Sequence, residues 1–172
     1  VVSGYATDNK AIVLGYGAYE KKPGRLNRRI RYETFLTALN YLSFALAKLP
    51  YMGVGRNLSY QKGLFFSTNG FFDHRQIPSG DDDLFINKVA TKKNTEIVIS
   101  PDAFTYSPPK ETREEWIEQK TRHMSTARYY RAKHKFWLAL QPISHILFWV
   151  TSLYLLATVF VYWYIVAAAF VL

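Results

Sequence analysis

The sequence contains no cysteine. This absence excludes a disulfide framework, a thiolate nucleophile and a cysteine-ligated zinc site. Charge is missing from one segment, because residues 146–172, ILFWVTSLYLLATVFVYWYIVAAAFVL, include no Asp, Glu, Lys or Arg over 27 positions. The segment exceeds the roughly 20 residues that a helix needs to cross a bilayer, so we expect a membrane anchor. It is either one tilted helix or two helices, and the aromatic cluster Tyr162-Trp163-Tyr164 favours a break there.

All charged residues precede this segment, with 22 Lys and Arg against 13 Asp and Glu and a formal net charge of +9. Basic residues concentrate in residues 21–31 and in residues 120–135, and the second cluster adjoins the apolar segment. Basic residues beside a membrane span typically mark its cytoplasmic side and contact anionic headgroups. The pattern predicts an integral membrane protein with a cytoplasmic polar domain, whose anionic partner is a lipid surface rather than nucleic acid.

A hydrophobic content of 49% predicts a folded domain before the apolar segment. Residues 11–19, AIVLGYGAY, are typical of a buried strand that leads into a glycine turn. A helix that stops at Pro50 is predicted by apolar residues near helical spacing, which are Leu26, Ile30, Leu36, Leu39, Leu42 and Leu46. Its apolar side suits a core position or, alternatively, the membrane interface.

The later part of the polar region predicts a further strand and two further helices. Residues 81–94 are typical of a helix, and residues 95–100 of a short strand. Thr112 and Glu115 have the spacing of a capping box, which predicts the start of another helix. We expect Pro142 to interrupt that helix before the membrane segment.

Three adjacent carboxylates, Asp81, Asp82 and Asp83, precede an apolar stretch in SGDDDLFIN. A helix cap explains one of them, because Asp is favoured at helix starts. Three clustered carboxylates also raise the proton affinity of at least one, which suits a catalytic base. A divalent-metal site is a third interpretation, although adjacent residues on a helix cannot all point at one ion.

A second candidate site combines Gln119, Arg122 and His123, with Trp116 one turn earlier. Spacings of three and four place Gln119 on one helix face with both other residues. An arginine beside an amide donor can bind phosphate oxygens bidentately. The alternative is a solvated basic face near the membrane.

The third candidate is the glycine-rich stretch Gly53, Gly55, Arg56 and Asn57. Glycine lets the backbone approach a ligand closely, and Asn57 can hydrogen-bond a hydroxyl, although a simple turn explains the stretch equally well. A P-loop is excluded, since no Gly-Lys-Ser/Thr ending is present, and no Gly-x-Ser-x-Gly nucleophile elbow occurs.

The order of these motifs resembles the second half of a membrane-bound glycosyltransferase of family 2. GVGRNLSYQK is followed by GDDDLF, a short strand and QKTRH before the apolar segment. GDDDLF is similar to the acidic motif that supplies the family's catalytic base, with Asp82 at the base position between Asp81 and Asp83. QKTRH is similar to the family's Gln-x-x-Arg-Trp motif, which implies that Gln119, Arg122 and His123 bind the donor diphosphate, His123 replacing the tryptophan. Gly55, Arg56 and Asn57 would lie on the acceptor side.

The resemblance implies an α/β fold class, a partial GT-A-like domain followed by a transmembrane segment. The expected divisions are 1–110 for the transferase domain, 111–142 for the amphipathic helix and basic region, and 143–172 for the membrane segment. The family's nucleotide-binding first half would precede Val1, so we expect a piece of a longer protein. That half would include an Asp-x-Asp motif for a divalent cation, Mg or Mn, and no metal ligand is expected in these residues.

The implied activity is inverting transfer of a sugar from a nucleotide-sugar donor to a glycan or lipid-linked acceptor, at the bacterial inner membrane. The 172 residues alone would then be inactive. The alternative is a non-catalytic module, anchored in the membrane, that docks anionic lipid or a partner protein. That alternative accounts for the anchor and the basic clusters but not for the three aspartates or for Gln119 with Arg122.

Overall fold

A computed structural model of the protein describes residues 10–77, 79–158, 163, 164 and 168. The chain divides into two compact units, Val1–Arg131 and Ala132–Leu172. The first unit contains both helices and strands, whereas the second contains one long helix in its described part. The mixed helix and strand class predicted from the sequence is therefore confirmed for the first unit.

Five short strands of the first unit form two small sheets. They are β1 Ile12–Gly15, β2 Gly17–Tyr19, β3 Leu58–Tyr60, β4 Thr95–Val98 and β5 Thr105–Ser107. In the first sheet β1 is central, antiparallel to β3 and parallel to β4, and in the second sheet β2 runs parallel to β5. All four residues of β1 are buried, as expected for an apolar run at the centre of a sheet. The buried strand predicted at the start of residues 11–19 and the strand predicted in residues 95–100 are thus confirmed, but Gly17–Tyr19 form β2 where a glycine turn was predicted.

The first unit has four helices: α1 Arg25–Leu46, α2 Lys62–Ser67, α3 Asp81–Val89 and α4 Arg113–Thr126. The predicted helix before Pro50 is confirmed as α1. Ile30 and Leu42 are buried in the core, and the hydroxyl of Tyr41 donates a 2.6 Å hydrogen bond to the carbonyl of Gly15. The core interpretation therefore holds for one face of α1, although Leu36, Leu39 and Leu46 are exposed.

Helix α4 begins where the capping pattern predicts, because the Thr112 hydroxyl accepts a 3.2 Å hydrogen bond from the Glu115 amide. The prediction that Pro142 interrupts this helix is wrong. Helix α4 ends at Thr126, and the next helix, α5 Ala132–Thr158, continues through Pro142. The break between α4 and α5 is formed instead at Tyr130, whose side chain is buried in the first unit.

Within the described residues, α5 is the one helix that is long and apolar enough to cross a membrane. It begins before the predicted membrane segment, so the predicted boundary at residue 142 falls inside it. Trp163 and Tyr164 are helical, but residues 159–162 lie outside the described part. The predicted helix break at Tyr162-Trp163-Tyr164 therefore stays a prediction.

Candidate active site

A cavity of about 480 Å³ lies in the first unit, between α1, the start of α3, α4 and the turn at Gly55–Asn57. Its volume is within the range typical of small-molecule sites. Six of the nine residues that the family resemblance places in its motifs line it: Gly55, Arg56, Asp82, Asp83, Gln119 and His123. Asp81, Asn57 and Arg122 do not line it. The fold thus brings together parts of all three candidate motifs.

The three aspartates occupy the first turn of α3, where negative charge is favourable. The capping position before them is taken by Gly80, so none of the three is the N-cap residue. Asp81 is exposed, Asp82 is partly buried and Asp83 is 9% exposed. Because their environments differ, the three carboxylates differ in chemistry.

Asp82 is held at the edge of the cavity by two backbone amides. Its Oδ2 accepts a 2.6 Å hydrogen bond from the Gly55 amide, and its Oδ1 accepts a 2.9 Å bond from the Asp83 amide. A Cβ at position 55 would lie 3.1 Å from Oδ2, so glycine allows the close approach. The sequence pattern suggested that this glycine approaches a ligand, and the group that it approaches is Asp82 itself.

Asp83 is buried beside Tyr130, whose hydroxyl donates a 3.3 Å hydrogen bond to Asp83 Oδ2. Burial, followed by the neighbouring charge of Asp82, raises the pKa of Asp83 to about 8. Asp83 is therefore mostly protonated at neutral pH. The acidic motif carries less negative charge than three ionised carboxylates would, which reduces the repulsion around Asp82.

Gln119 and His123 lie one turn apart on α4 and both face the cavity. Gln119 Nε2 donates a 3.2 Å hydrogen bond to the hydroxyl of Tyr19. Desolvation by the surrounding protein lowers the pKa of His123, and the cations Arg122, Arg56 and Lys120 lower it further, against the opposing effect of Asp82. His123 is therefore predominantly neutral at pH 7.

Two of the residues singled out from the sequence, Arg122 and Asn57, do not line the cavity. Arg122 is exposed on α4, and its charge acts on the adjacent His123, but only Gln119 and His123 of this motif line the cavity. Asn57 is 2% exposed and donates from Nδ2 to the carbonyl oxygens of Tyr16, at 3.0 Å, and Ala103, at 2.7 Å. Both amide hydrogens are used to hold the fold, whereas Oδ1 is buried without a hydrogen-bond partner among the described residues.

Several cavity residues carry no recognisable sequence signal, because the segments that meet are distant in the chain. They include Tyr19, Glu33, Lys120 and Tyr130. Lys120 Nζ forms a 2.6 Å ion pair with Glu33 Oε2. Burial acts to raise the pKa of Glu33, but hydrogen bonds from Lys120 and Arg29 hold it below its usual value. This pair joins α1 to α4 across one side of the cavity.

The described residues provide no cluster of three or more His, Cys, Asp or Glu side chains that could hold a metal ion. Asp81 is exposed, Asp82 binds two amides and Asp83 is buried with Tyr130. The geometry thus gives no support to the metal interpretation of the triplet. The divalent cation implied by the resemblance has no fitting ligand set among the residues described.

Gly80 determines how closely α3 approaches α4, and replacing it with alanine is expected to destabilise the fold. Its φ is 83°, and a Cβ there would lie 2.2 Å from Thr126 Cγ2. Backbone strain and overpacking together should cost about 2–5 kcal/mol. Thermal unfolding followed by circular dichroism in detergent micelles measures the loss.

Gly24 is the matched control, since its φ is 104° but an added Cβ would meet no atom within 4 Å. Gly24→Ala should therefore carry only the backbone strain of a region that essentially only glycine adopts, about 1–3 kcal/mol. Equal losses for the two variants would contradict the tight contact between Gly80 and Thr126.

Comparison with known proteins adds no relative from which a function can be transferred. No protein-family model matches the chain, and no curated protein matches it. The chemistry of the cavity is therefore argued from its own geometry and from the motif resemblance.

Proposed function

We propose that the protein is an inverting glycosyltransferase of family 2 with a GT-A-like domain, which moves a sugar from a nucleotide-sugar donor to an acceptor at a membrane. One observation carries the proposal. The acidic motif of α3 and the Gln119 and His123 side chains of α4 line the same cavity, although they are distant in sequence. These are the two motifs on which the resemblance to the family rests.

Asp82 is the base in this proposal. An acceptor hydroxyl attacks the anomeric carbon of the donor, the new oxygen–carbon bond forms, and the bond from that carbon to the diphosphate breaks with inversion. The hydroxyl proton passes to Asp82, whose carboxylate has lone pairs beyond those that accept from the Gly55 and Asp83 amides. The two amides orient the carboxylate before the acceptor arrives.

Gln119 and His123 supply neutral hydrogen-bond donors to the same cavity from α4. Negative charge develops on the departing nucleoside diphosphate, and donors that are already in place stabilise it without reorganisation. Asp83, protonated at neutral pH, adds no full charge to repel the leaving group. This division assigns base and leaving-group chemistry to different helices.

A membrane setting follows from α5 in the proposal. This helix is long and apolar enough to span a bilayer, and it begins within a basic stretch that includes Lys133 and Lys135. Basic residues at the start of a span favour a cytoplasmic polar domain at the bacterial inner membrane. A transferase that is anchored in a membrane suits a lipid-linked acceptor.

The test is sugar transfer in membranes that contain the full-length protein together with any natural upstream sequence. A panel of radiolabelled nucleotide sugars is incubated with a lipid extract, and label in the lipid or glycan fraction is measured with its anomeric configuration. We expect transfer with inversion from at least one donor. If the folded protein transfers no donor above the background of Asp82→Asn membranes, the proposal fails, and saturable binding to anionic vesicles would then favour the non-catalytic module.

A further inference from the structure

Arg56 lies in the cavity with its position fixed on several sides. Its guanidinium carbon is 3.9 Å from the centroid of the Tyr19 ring, a short cation–π contact. Gln119 holds the hydroxyl of the same ring. The backbone carbonyl of Arg56 accepts a 2.9 Å hydrogen bond from the Thr105 hydroxyl. Since stacking covers one face of the guanidinium, its N–H groups remain directed along the edge of the plane.

The positive charge of Arg56 is not compensated by the acidic residues described around the cavity. No ion pair forms between Arg56 and a described carboxylate, and its Nη1 is buried without a hydrogen-bond partner there. A buried donor without a partner is costly, and in native structures such groups usually bind a ligand, ion or water. The Glu33 carboxylate forms ion pairs with Arg29 and Lys120. The Asp82 carboxylate accepts hydrogen bonds from two backbone amides.

We propose that Arg56 binds the diphosphate group of the ligand in this cavity, the role that the sequence motif assigns to Arg122. The assignment rests on the proposed function, because a transferase that uses a nucleoside diphosphate sugar releases a diphosphate as its leaving group. A planar guanidinium presents paired N–H donors that match two phosphate oxygens, and it keeps its charge at every physiological pH. Arg122 lacks this setting, since it is exposed outside the cavity lining.

The shared ligand chemistry is a diphosphate, which has two sources in such a reaction. One is the nucleoside diphosphate of the donor, and the other is the diphosphate of a lipid-linked acceptor. Binding of inorganic pyrophosphate tests recognition of the diphosphate group alone. Uridine diphosphate represents the donor and farnesyl diphosphate represents the lipid-linked acceptor. The diphosphate whose affinity falls more in Arg56→Gln identifies the ligand that occupies the site.

The experiment is isothermal titration calorimetry of the purified protein in detergent micelles at low ionic strength. Arg56→Gln is expected to weaken pyrophosphate binding by at least about tenfold, because charge-assisted bidentate bonds are lost. Arg56→Lys should recover only part of the affinity, since a point charge cannot reproduce the planar fork. Arg122→Gln should change the affinity by less than about twofold, as expected for a screened surface charge.

Arg75 provides a matched control, because its guanidinium also stacks on a ring, 4.3 Å from the centroid of Phe72, but outside the cavity lining. Arg75→Gln should leave pyrophosphate affinity within the same twofold range. The proposal is overturned if the unmodified protein shows no saturable pyrophosphate binding. It is also overturned if Arg56→Gln binds normally, or if Arg122→Gln loses as much affinity as Arg56→Gln.

Folding of each variant is checked by its thermal unfolding curve. If Arg56→Gln does not fold, Arg56→Lys decides the matter, and unchanged pyrophosphate affinity in that variant would count against Arg56. The readout is binding and does not require sugar transfer. Failure of the transferase proposal would therefore appear as absent transfer with Arg56-dependent binding intact, whereas failure of the Arg56 assignment would leave transfer intact.

Discussion

Replacing Asp82 with asparagine is expected to lower sugar transfer by about 100- to 10,000-fold, the range associated with loss of a general base. Asparagine keeps the size of the side chain and one acceptor oxygen for an amide, but it cannot take the acceptor proton. Donor affinity should change little, because Asp82 acts on the acceptor side of the reaction. Initial rates with radiolabelled donor, combined with calorimetry of donor binding, separate the two effects.

Asp81→Asn is the matched control for this substitution. It removes the same charge from the same helical turn, but Asp81 is exposed and does not line the cavity. A much smaller loss of transfer is expected. Comparable losses of transfer in the two variants would show that the charge of the first turn matters and that no single carboxylate is the base. Normal transfer by Asp82→Asn would show that the motif has a purely structural role.

Replacing Asp83 with asparagine is expected to remove a pH dependence of stability. The pKa of Asp83 is raised from 3.8 to about 8 in the folded protein, chiefly by burial. Between these values the folded state holds a proton that the unfolded state has released, so stability falls as pH rises through the window. From pH 7 to pH 9 the loss should be about 1.4 kcal/mol. This corresponds to a melting temperature lower by about 3–6 °C.

Asparagine resembles the protonated aspartate and can accept the hydrogen bond from Tyr130. The Asp83→Asn protein should therefore keep a nearly constant melting temperature from pH 7 to pH 9 and exceed the unmodified protein at pH 9. Two neighbouring groups do not interfere in this range. His123 has a lowered pKa and is already neutral, and burial raises the pKa of Tyr130 well above pH 9.

Thermal unfolding in detergent micelles, measured at several pH values, checks this expectation. Asp102→Asn serves as a control, because Asp102 is exposed in a short turn, and its substitution should leave the slope unchanged. An unaltered slope in Asp83→Asn would mean that Asp83 is ionised throughout the range. Protonation of Asp83 would then not explain how three adjacent aspartates are accommodated in the first turn of α3.

Several parts of the fold could be predicted because their determinants are local in the sequence. The apolar run of β1 and the spacing of apolar residues in α1 determine strand and helix directly. Thr112 and Glu115 mark the start of α4 because the cap is a contact between neighbours three residues apart. The helical spacing of Gln119 and His123 likewise placed both side chains on one face, and the cavity uses both.

The end of α4 could not be predicted, because its cause is a contact between distant segments. Pro142 was the strongest local signal for a break, but α5 continues through it, since a proline removes one backbone hydrogen bond and can kink a helix without ending it. The chain leaves α4 where Tyr130 reaches Asp83, and the Arg131 amide donates a 2.9 Å hydrogen bond to Asn87 Oδ1. Neither partner can be inferred from residues adjacent to the break.

The sequence by itself determined which chemical groups are present and which neighbours share a helix face: an acidic first turn in α3, a glycine beside Arg56, and Gln119 one turn before His123. Only the tertiary structure decided which of them meet and in what protonation state. Packing of β2 against the turn at Gly55–Asn57 placed Arg56 on Tyr19, whereas Arg122 is exposed on α4. Burial likewise separated three identical carboxylates, because desolvation depends on the surrounding atoms and not on the order of residues.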